Sequence, residues 1–308
     1  MKTLLIPLSF SGLLAGGLLL AGSPKPLNVT TSLNQDGAVQ SAHVAGPVHI
    51  LTGAGGNVGL SIGEDGVLLI DDKFAANEGP IRAAIKELGG DKIVYLVNTH
   101  YHGDHTGSNA GFGGEAIIVA HANVRARLSA AEGVVGTTTN PPAPKVALPE
   151  VTHENGLSLY FNGEEIRLLS FDHGHTDGDS VVWFTKSNVV HMGDLYFDAF
   201  YPYVDLGSGG GVLGLITGLE GVLATVPSDA KIISGHGRVT GTDELREYVA
   251  MIKTVLERVQ EAMTLGETAQ QMIDNGMTGD FDERWGNSNF MTPLKFVDSI
   301  RSSLQQKL

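Results

Sequence analysis

The stretch Thr99-His100-Tyr101-His102-Gly103-Asp104-His105 constrains this chain more than any other, and it stands where the apolar run Ile93-Val94-Tyr95-Leu96-Val97 stops at Asn98. That run reads as a buried strand, so the polar cluster lies at its carboxyl end, where open α/β sheets place their sites. Three imidazoles and a carboxylate between positions 100 and 105 are ill suited to packing, because burying them without partners is costly. They require a cation. His100 and His102 are two apart in extended or tightly turning backbone, so both rings point the same way and share one metal. Asp104 and His105 face elsewhere, which implies a second, adjacent ion.

Three further stretches follow in order: Gly174-His175-Thr176-Asp177-Gly178-Asp179, Gly193-Asp194 and Ser234-Gly235-His236-Gly237. With His100-x-His102-x-Asp104-His105 they resemble the signature of the metallo-β-lactamase superfamily, from about Val48 to the C-terminus. The resemblance implies that His100, His102 and His175 hold a first metal and Asp104, His105 and His236 a second, with Asp194 bridging them. It implies two Zn2+ ions, with Fe or Mn as alternatives, and a four-layer αββα sandwich. Strand patterns arriving in two batches, each followed by helix, agree with such a sandwich.

Two departures from the best-known zinc β-lactamases stand out within that resemblance. Those enzymes use a Cys where Asp194 stands, and this chain has no cysteine, so its ligands are nitrogen and oxygen only. Their carboxylate-binding Lys falls near Phe197, which cannot pair with a substrate carboxylate. Both departures weaken a β-lactam assignment, and the bridging Asp makes the chain look closer to the glyoxalase II-like hydrolases, and to exported members of uncertain substrate, than to dedicated β-lactamases.

A net charge of −14, from 34 acidic against 20 basic residues, lacks the basic footprint that a nucleic acid requires. A small molecule is the expected substrate, and the oligomeric state is left open. Residues 1–23 carry Lys2, a Leu- and Gly-rich run and Ser23, the build of a secretory signal or an uncleaved membrane anchor. Either places the protein in a periplasm or outside the cell, touching a membrane only through this segment. Residues 24–45 read as a linker and 46–308 as one catalytic domain.

The strand signals are Val48–Leu51, Val58–Ile62, Val67–Ile70, Ala116–Ala120, a hairpin over Leu157–Ser170 turning at Asn162-Gly163, Val181–Phe184, Val189–His191 and Lys231–Ile233. Helical spacing is expected over Pro80–Leu88, Ala122–Ala131, Val212–Ala224, Asp243–Leu265 and Thr292–Gln306. Val134–Pro149 reads as an irregular loop, either a cover over the site or an inert excursion.

His173 rivals His175, two residues away, but in the family the ligand directly precedes Thr in a Gly-His-Thr turn. His191 reads as a donor behind Asp194 or a satisfied core histidine. His43, His49, His121 and His153 read as structural or exposed. A closed structural zinc site is usually four-coordinate and often Cys-rich, whereas a ligand set divided between two ions leaves room for water.

The expected chemistry is attack by a metal-bridging hydroxide on an activated acyl carbon in a β-lactam, lactone or thioester. A metal lowers the pKa of bound water to about 7. One ion polarises the carbonyl and the other stabilises the leaving group, while Asp104 is the catalytic residue that orients the water and passes its proton on. Tyr196, Phe197, Tyr201, Tyr203, Trp285 and Phe290 read either as an aromatic rim or as core. Two other classes are a mononuclear non-haem iron dioxygenase of the same fold, using His100, His102 and Asp194, and a non-catalytic zinc-binding protein. The intact Asp104, His105 and His236 argue against both.

Overall fold

Alternation at period two sorts the apolar side chains of each strand onto two faces, and both faces are buried. In the computed structural model, which describes residues 38–130 and 141–306, the strands form two sheets. The first has the order β1 (Gln40–Ala45), β2 (Val48–Thr52), β3 (Val58–Gly63), β4 (Gly66–Ile70), β5 (Ile93–Asn98), β6 (Ile117–His121), β7 (Val151–His153). Its first four strands are an antiparallel meander and β4 to β7 are parallel. The second has the order β13, β12, β11, β10, β9, β8, from β8 (Leu157–Phe161), β9 (Glu164–Phe171), β10 (Asp179–Phe184), β11 (Val189–His191), β12 (Lys231–Ile233) and β13 (Val239–Gly241).

Leu68 and Ile70 on β4 face Val182 and Phe184 on β10 across the inter-sheet core, together with Ile50, Val97, Ile166 and Ile233. The alternate residues Val67 and Leu69 face outward, where Ile81, Ala84 and Ile85 of α1 (Glu78–Glu87) cover them. Short helices α2 (Gly103–Thr106) and α3 (Asn109–Phe112) follow β5, and α4 (Ala122–Ser129) follows β6, N-capped by the His121 ring. On the far side Val181 and Trp183 of β10 pack under α5 (Val212–Thr225) and α6 (Thr242–Thr264). Helices α7 (Ala269–Asp274), α8 (Asp282–Trp285) and α9 (Pro293–Gln305) complete that layer. This is the αββα sandwich.

Differences from the sequence expectation are local. β1 lies inside the stretch read as linker, because Gln40 to Ala45 pairs antiparallel with β2. β7, β13, α7 and α8 are too short to carry a periodic signal. At the β8–β9 turn Asn162 and Gly163 both take positive φ, 51° and 77°, as a two-residue hairpin needs. The segment 1–23 and residues 131–140 of the irregular loop lie outside the described residues; within its remainder Lys145–Ala147 forms one 3-10 turn. Among the described residues no helix is long and apolar enough to cross a membrane.

Candidate metal centre

Chain direction explains why the four stretches meet. β9 and β11 both run antiparallel to β10, and β12 runs parallel to β11, so these three end at one edge of their sheet. His175 follows β9, Asp194 follows β11 and His236 follows β12. The first sheet brings β5 to the same edge, where Ser180 N–H donates to Thr99 O at 2.8 Å. His100 and His102 leave β5 in turning backbone, and α2 then carries Asp104 and His105. Gly193 has φ +51°, and a Cβ there would lie 2.7 Å from Thr99 Cβ, so a glycine lets the Asp194 turn approach the end of β5.

All seven residues singled out in the sequence converge. His100 Nε2 and His175 Nε2 each lie 3.0 Å from His102 Nδ1, with Asp194 Oδ2 3.8 and 3.7 Å from the first two. Beside them His236 Nε2 is 3.1 Å from Asp104 Oδ2 and 3.4 Å from His105 Nε2. Asp194 stands between the groups: Oδ1 is 3.1 Å from His105 Nε2 and Oδ2 is 3.5 Å from His236 Nε2. The ligand atoms of His100, His102, His175 and Asp194 lie within 4.8 Å of one another, as do those of Asp104, His105 and His236.

Hydrogen bonds behind the rings set the tautomers. His102 Nε2–H donates to Asp205 Oδ2 at 2.9 Å, His175 Nδ1–H to Tyr203 O at 2.7 Å and His105 Nδ1–H to Asp71 Oδ2 at 2.7 Å. Thr99 Oγ1–H is committed to Asp71, so Thr99 Oγ1 accepts from His100 Nδ1–H at 3.1 Å. The inward nitrogens of the first group therefore present lone pairs to one another at contact distance. Such a cluster repels itself unless a cation sits in it, and an all-nitrogen and oxygen donor set fits zinc, iron or manganese.

Electrostatics separates the two groups. Burial and neighbouring imidazoles hold His100 well below the usual histidine range and push His175 down to about 4, so both rings are neutral. Burial also opposes charge on His105 and His236, but the carboxylates of Asp194 and Asp104 prevail, raising His105 well above its usual range and His236 to about 9. Protons stand there where a second cation fits. Burial disfavours ionised Asp104 and Asp194 too, yet the positive rings hold both carboxyls well below the usual range.

Asp71, Asp205 and Lys73, at the centre, were not singled out from the sequence. Asp71, buried and at φ +61°, accepts from Thr99 N and Thr99 Oγ1 as well as His105. Asp205 accepts from Tyr101 OH and His102. Lys73, fully buried, donates to Gly56 O and is pushed down to about 8, chiefly by burial. His191 donates from Nε2 to Asn57 O and accepts Gly193 N–H at Nδ1, so it supports the Asp194 turn. His173 turns away, its Nδ1 on Gly209 O. The aromatics divide: Tyr196, Tyr201 and Trp285 are core, with Tyr201 stacked on Phe296 at 4.7 Å, whereas Phe197 and Tyr203 touch the histidine rings and Phe290 lies outside Tyr203.

Fold and site together define a class: a two-sheet α/β sandwich presenting His/Asp clusters suited to metal at one edge. The metallo-beta-lactamase superfamily profile matches residues 51–237, more than half of the chain, and the chain belongs to that superfamily. It is 28% identical over 159 residues to hydroxyacylglutathione hydrolase from Rhodospirillum rubrum, covering 51% of this chain and 53% of that protein. The chain thus spans about half the length of the curated relative it matches. Among solved structures, a metallo-beta-lactamase from Pontibacter korlensis superposes with TM-score 0.58 at 15% identity, over 70% of this chain and 99% of that one. The inverting sec-alkylsulfatase Pisa1 from Pseudomonas sp. gives 0.62 at 16% identity, over 88% of this chain and 50% of that one. Both likenesses show the fold.

Proposed function

We propose that the protein is a metal-dependent hydrolase of activated acyl compounds, working with two divalent ions, zinc foremost. The observation that carries this reading is the set of three imidazoles, His100, His102 and His175, whose outer N–H groups are all committed, leaving inward lone pairs beside the Asp194 carboxylate. His100, His102 and His175 would hold one ion, Asp104, His105 and His236 the other, with Asp194 between. Such ions supply Lewis acidity and, by lowering the pKa of water to about 7, hydroxide at neutral pH.

Asp104 is 23% exposed against 6% for Asp194, so Asp104 faces the opening. It stays ionised and orients the attacking water by accepting its hydrogen bond. Asp194, Asp71 and Asp205 hold rings and charge in place. The relative's name supports a thioester as one substrate class; lactones and β-lactams share its activated acyl carbon. The apolar segment 1–23 supports placing the enzyme in a periplasm or outside the cell.

The test is metal content by plasma mass spectrometry on protein purified without added metal, with thioester, lactone and β-lactam hydrolysis measured before and after chelation. Two zinc ions per chain and chelation-sensitive turnover, lost in Asp194→Ala and His102→Ala with the circular dichroism spectrum retained, is the expected result. One iron and no hydrolysis would move the protein to the dioxygenase class.

A further inference from the structure

An aromatic wall joins the two ligand groups. From His102 it passes to Tyr203, stacked at 6.1 Å, then to Phe290 at 5.4 Å, Phe200 at 5.9 Å and His236 at 6.1 Å. Phe197 lies beneath, 5.9 Å from His175, 5.7 Å from His236 and 4.8 Å from Phe200. The wall grades from a ring 1% exposed at the ligands, Phe197, to one 54% exposed, Phe290. Phe74, 47% exposed, borders Gly55 beside Asp104. Leaving phenyl rings half in water forgoes burial that a folded chain ordinarily secures. An apolar ligand part would recover it.

Charge points the same way. Three basic side chains on neighbouring segments are engaged elsewhere. Lys73 is buried on Gly56 O, Arg238 is paired with Asp198, and Lys295 donates to the Phe290 carbonyl oxygen. Phe197 itself stands three positions beyond Asp194 with its apolar ring against His236.

We propose that Tyr203, Phe200 and Phe290 form an acyl-chain subsite, and that the substrates are esters, thioesters or lactones with an uncharged apolar acyl part. Acyl compounds ending in a carboxylate are rejected. The inference rests on the hydrolase reading above. In the reaction the acyl–oxygen or acyl–sulfur bond breaks, water adds hydroxyl to the acyl carbon, and its other proton goes to the leaving group.

The full-length metal-loaded protein is assayed with p-nitrophenyl acetate, p-nitrophenyl octanoate and the mono-p-nitrophenyl ester of octanedioic acid. Octanoate is expected to exceed both others in kcat/KM by about tenfold or more, as six added methylenes in an apolar subsite allow. Phe290→Ala should lower the octanoate-to-acetate ratio about fivefold through KM, with Phe290→Leu restoring most of it. Equal rates across chain lengths, a preference for the carboxylate-ended chain, or an unchanged ratio in Phe290→Ala would each overturn the subsite. Failure to hydrolyse all three overturns the ester-hydrolase reading instead. Calorimetric titration of octanamide into the metal-free protein then judges the subsite separately: binding weakened by Phe290→Ala supports it, and absence of binding refutes it.

Discussion

Asp205 holds His102 through a 2.9 Å hydrogen bond from Nε2 to Oδ2, although the two residues are 103 positions apart. The same carboxylate accepts Tyr101 OH at 3.0 Å and, through Oδ1, Ser208 N–H at 3.2 Å. His102 is thereby kept with its proton outward and its Nδ1 lone pair toward His100 and His175.

Asp205→Asn keeps the volume and removes the charge that favours this tautomer. Affinity for the first metal ion should fall about 10- to 100-fold. Competition against a chromophoric chelator measures it, with circular dichroism confirming the fold. An unchanged affinity would reduce Asp205 to a structural partner of Tyr101.

Gly56 borders the second group, its N–H donating to Asp104 O at 3.2 Å, and a Cβ at this position would run into the His105 ring. His105 has no room to retreat, because Asp71 grips its other nitrogen. If each ligand group takes one ion, Gly56→Ala should therefore halve the metal content, sparing the group of His100, His102 and His175, as mass spectrometry would show. Retention of full metal content contradicts the assignment of His105.

Asp71 is wholly buried and takes three hydrogen bonds. Asp71→Ala strands the donors of Thr99 and His105 and should destabilise the protein by about 2–4 kcal/mol. Urea denaturation of the metal-free protein reads this directly, and a loss below about 1 kcal/mol would count against the buried network.

The metal-free protein should be most stable near neutral pH. Burial disfavours charged His236, but Asp194 and Asp104 carry it up to about 9, so the folded state binds this proton more tightly than the unfolded chain. Its contribution is complete below about pH 6.5 and is lost as pH rises through about 9. His175 behaves oppositely: burial pushes it down to about 4, the unfolded chain takes up the proton first, and stability is lost as pH falls from about 6.5 toward 4. Thermal denaturation with chelator, from about pH 4.5 to 9.5, should show both limbs. Bound metal should flatten the alkaline limb, since a cation then replaces the proton. A midpoint rising steadily to the alkaline end would contradict the charge state given to His236.

The gathering of His100, His102, Asp104, His105, His175, Asp194 and His236 at one centre was legible in the sequence because imidazoles and carboxylates in short runs, placed after apolar strands, are local signals. So were ten of the thirteen strands among the described residues and the Asn162-Gly163 turn. The linker reading failed at β1 because Gln40 to Ala45 is a half-exposed edge strand whose pairing with β2, not its composition, makes it a strand.

What the sequence determined by itself is therefore the donor chemistry, cysteine-free and divided between two sets, and the two-batch sandwich that carries it. Tertiary structure decided which nitrogen of each ring faces inward, through Asp71, Thr99, Tyr203 and Asp205, and which aromatic rings line the centre rather than fill the core. Periodicity and donor type are properties of adjacent residues. Tautomer, proton location and exposure depend on groups brought together by the meeting of two sheets, and no spacing along the chain encodes them.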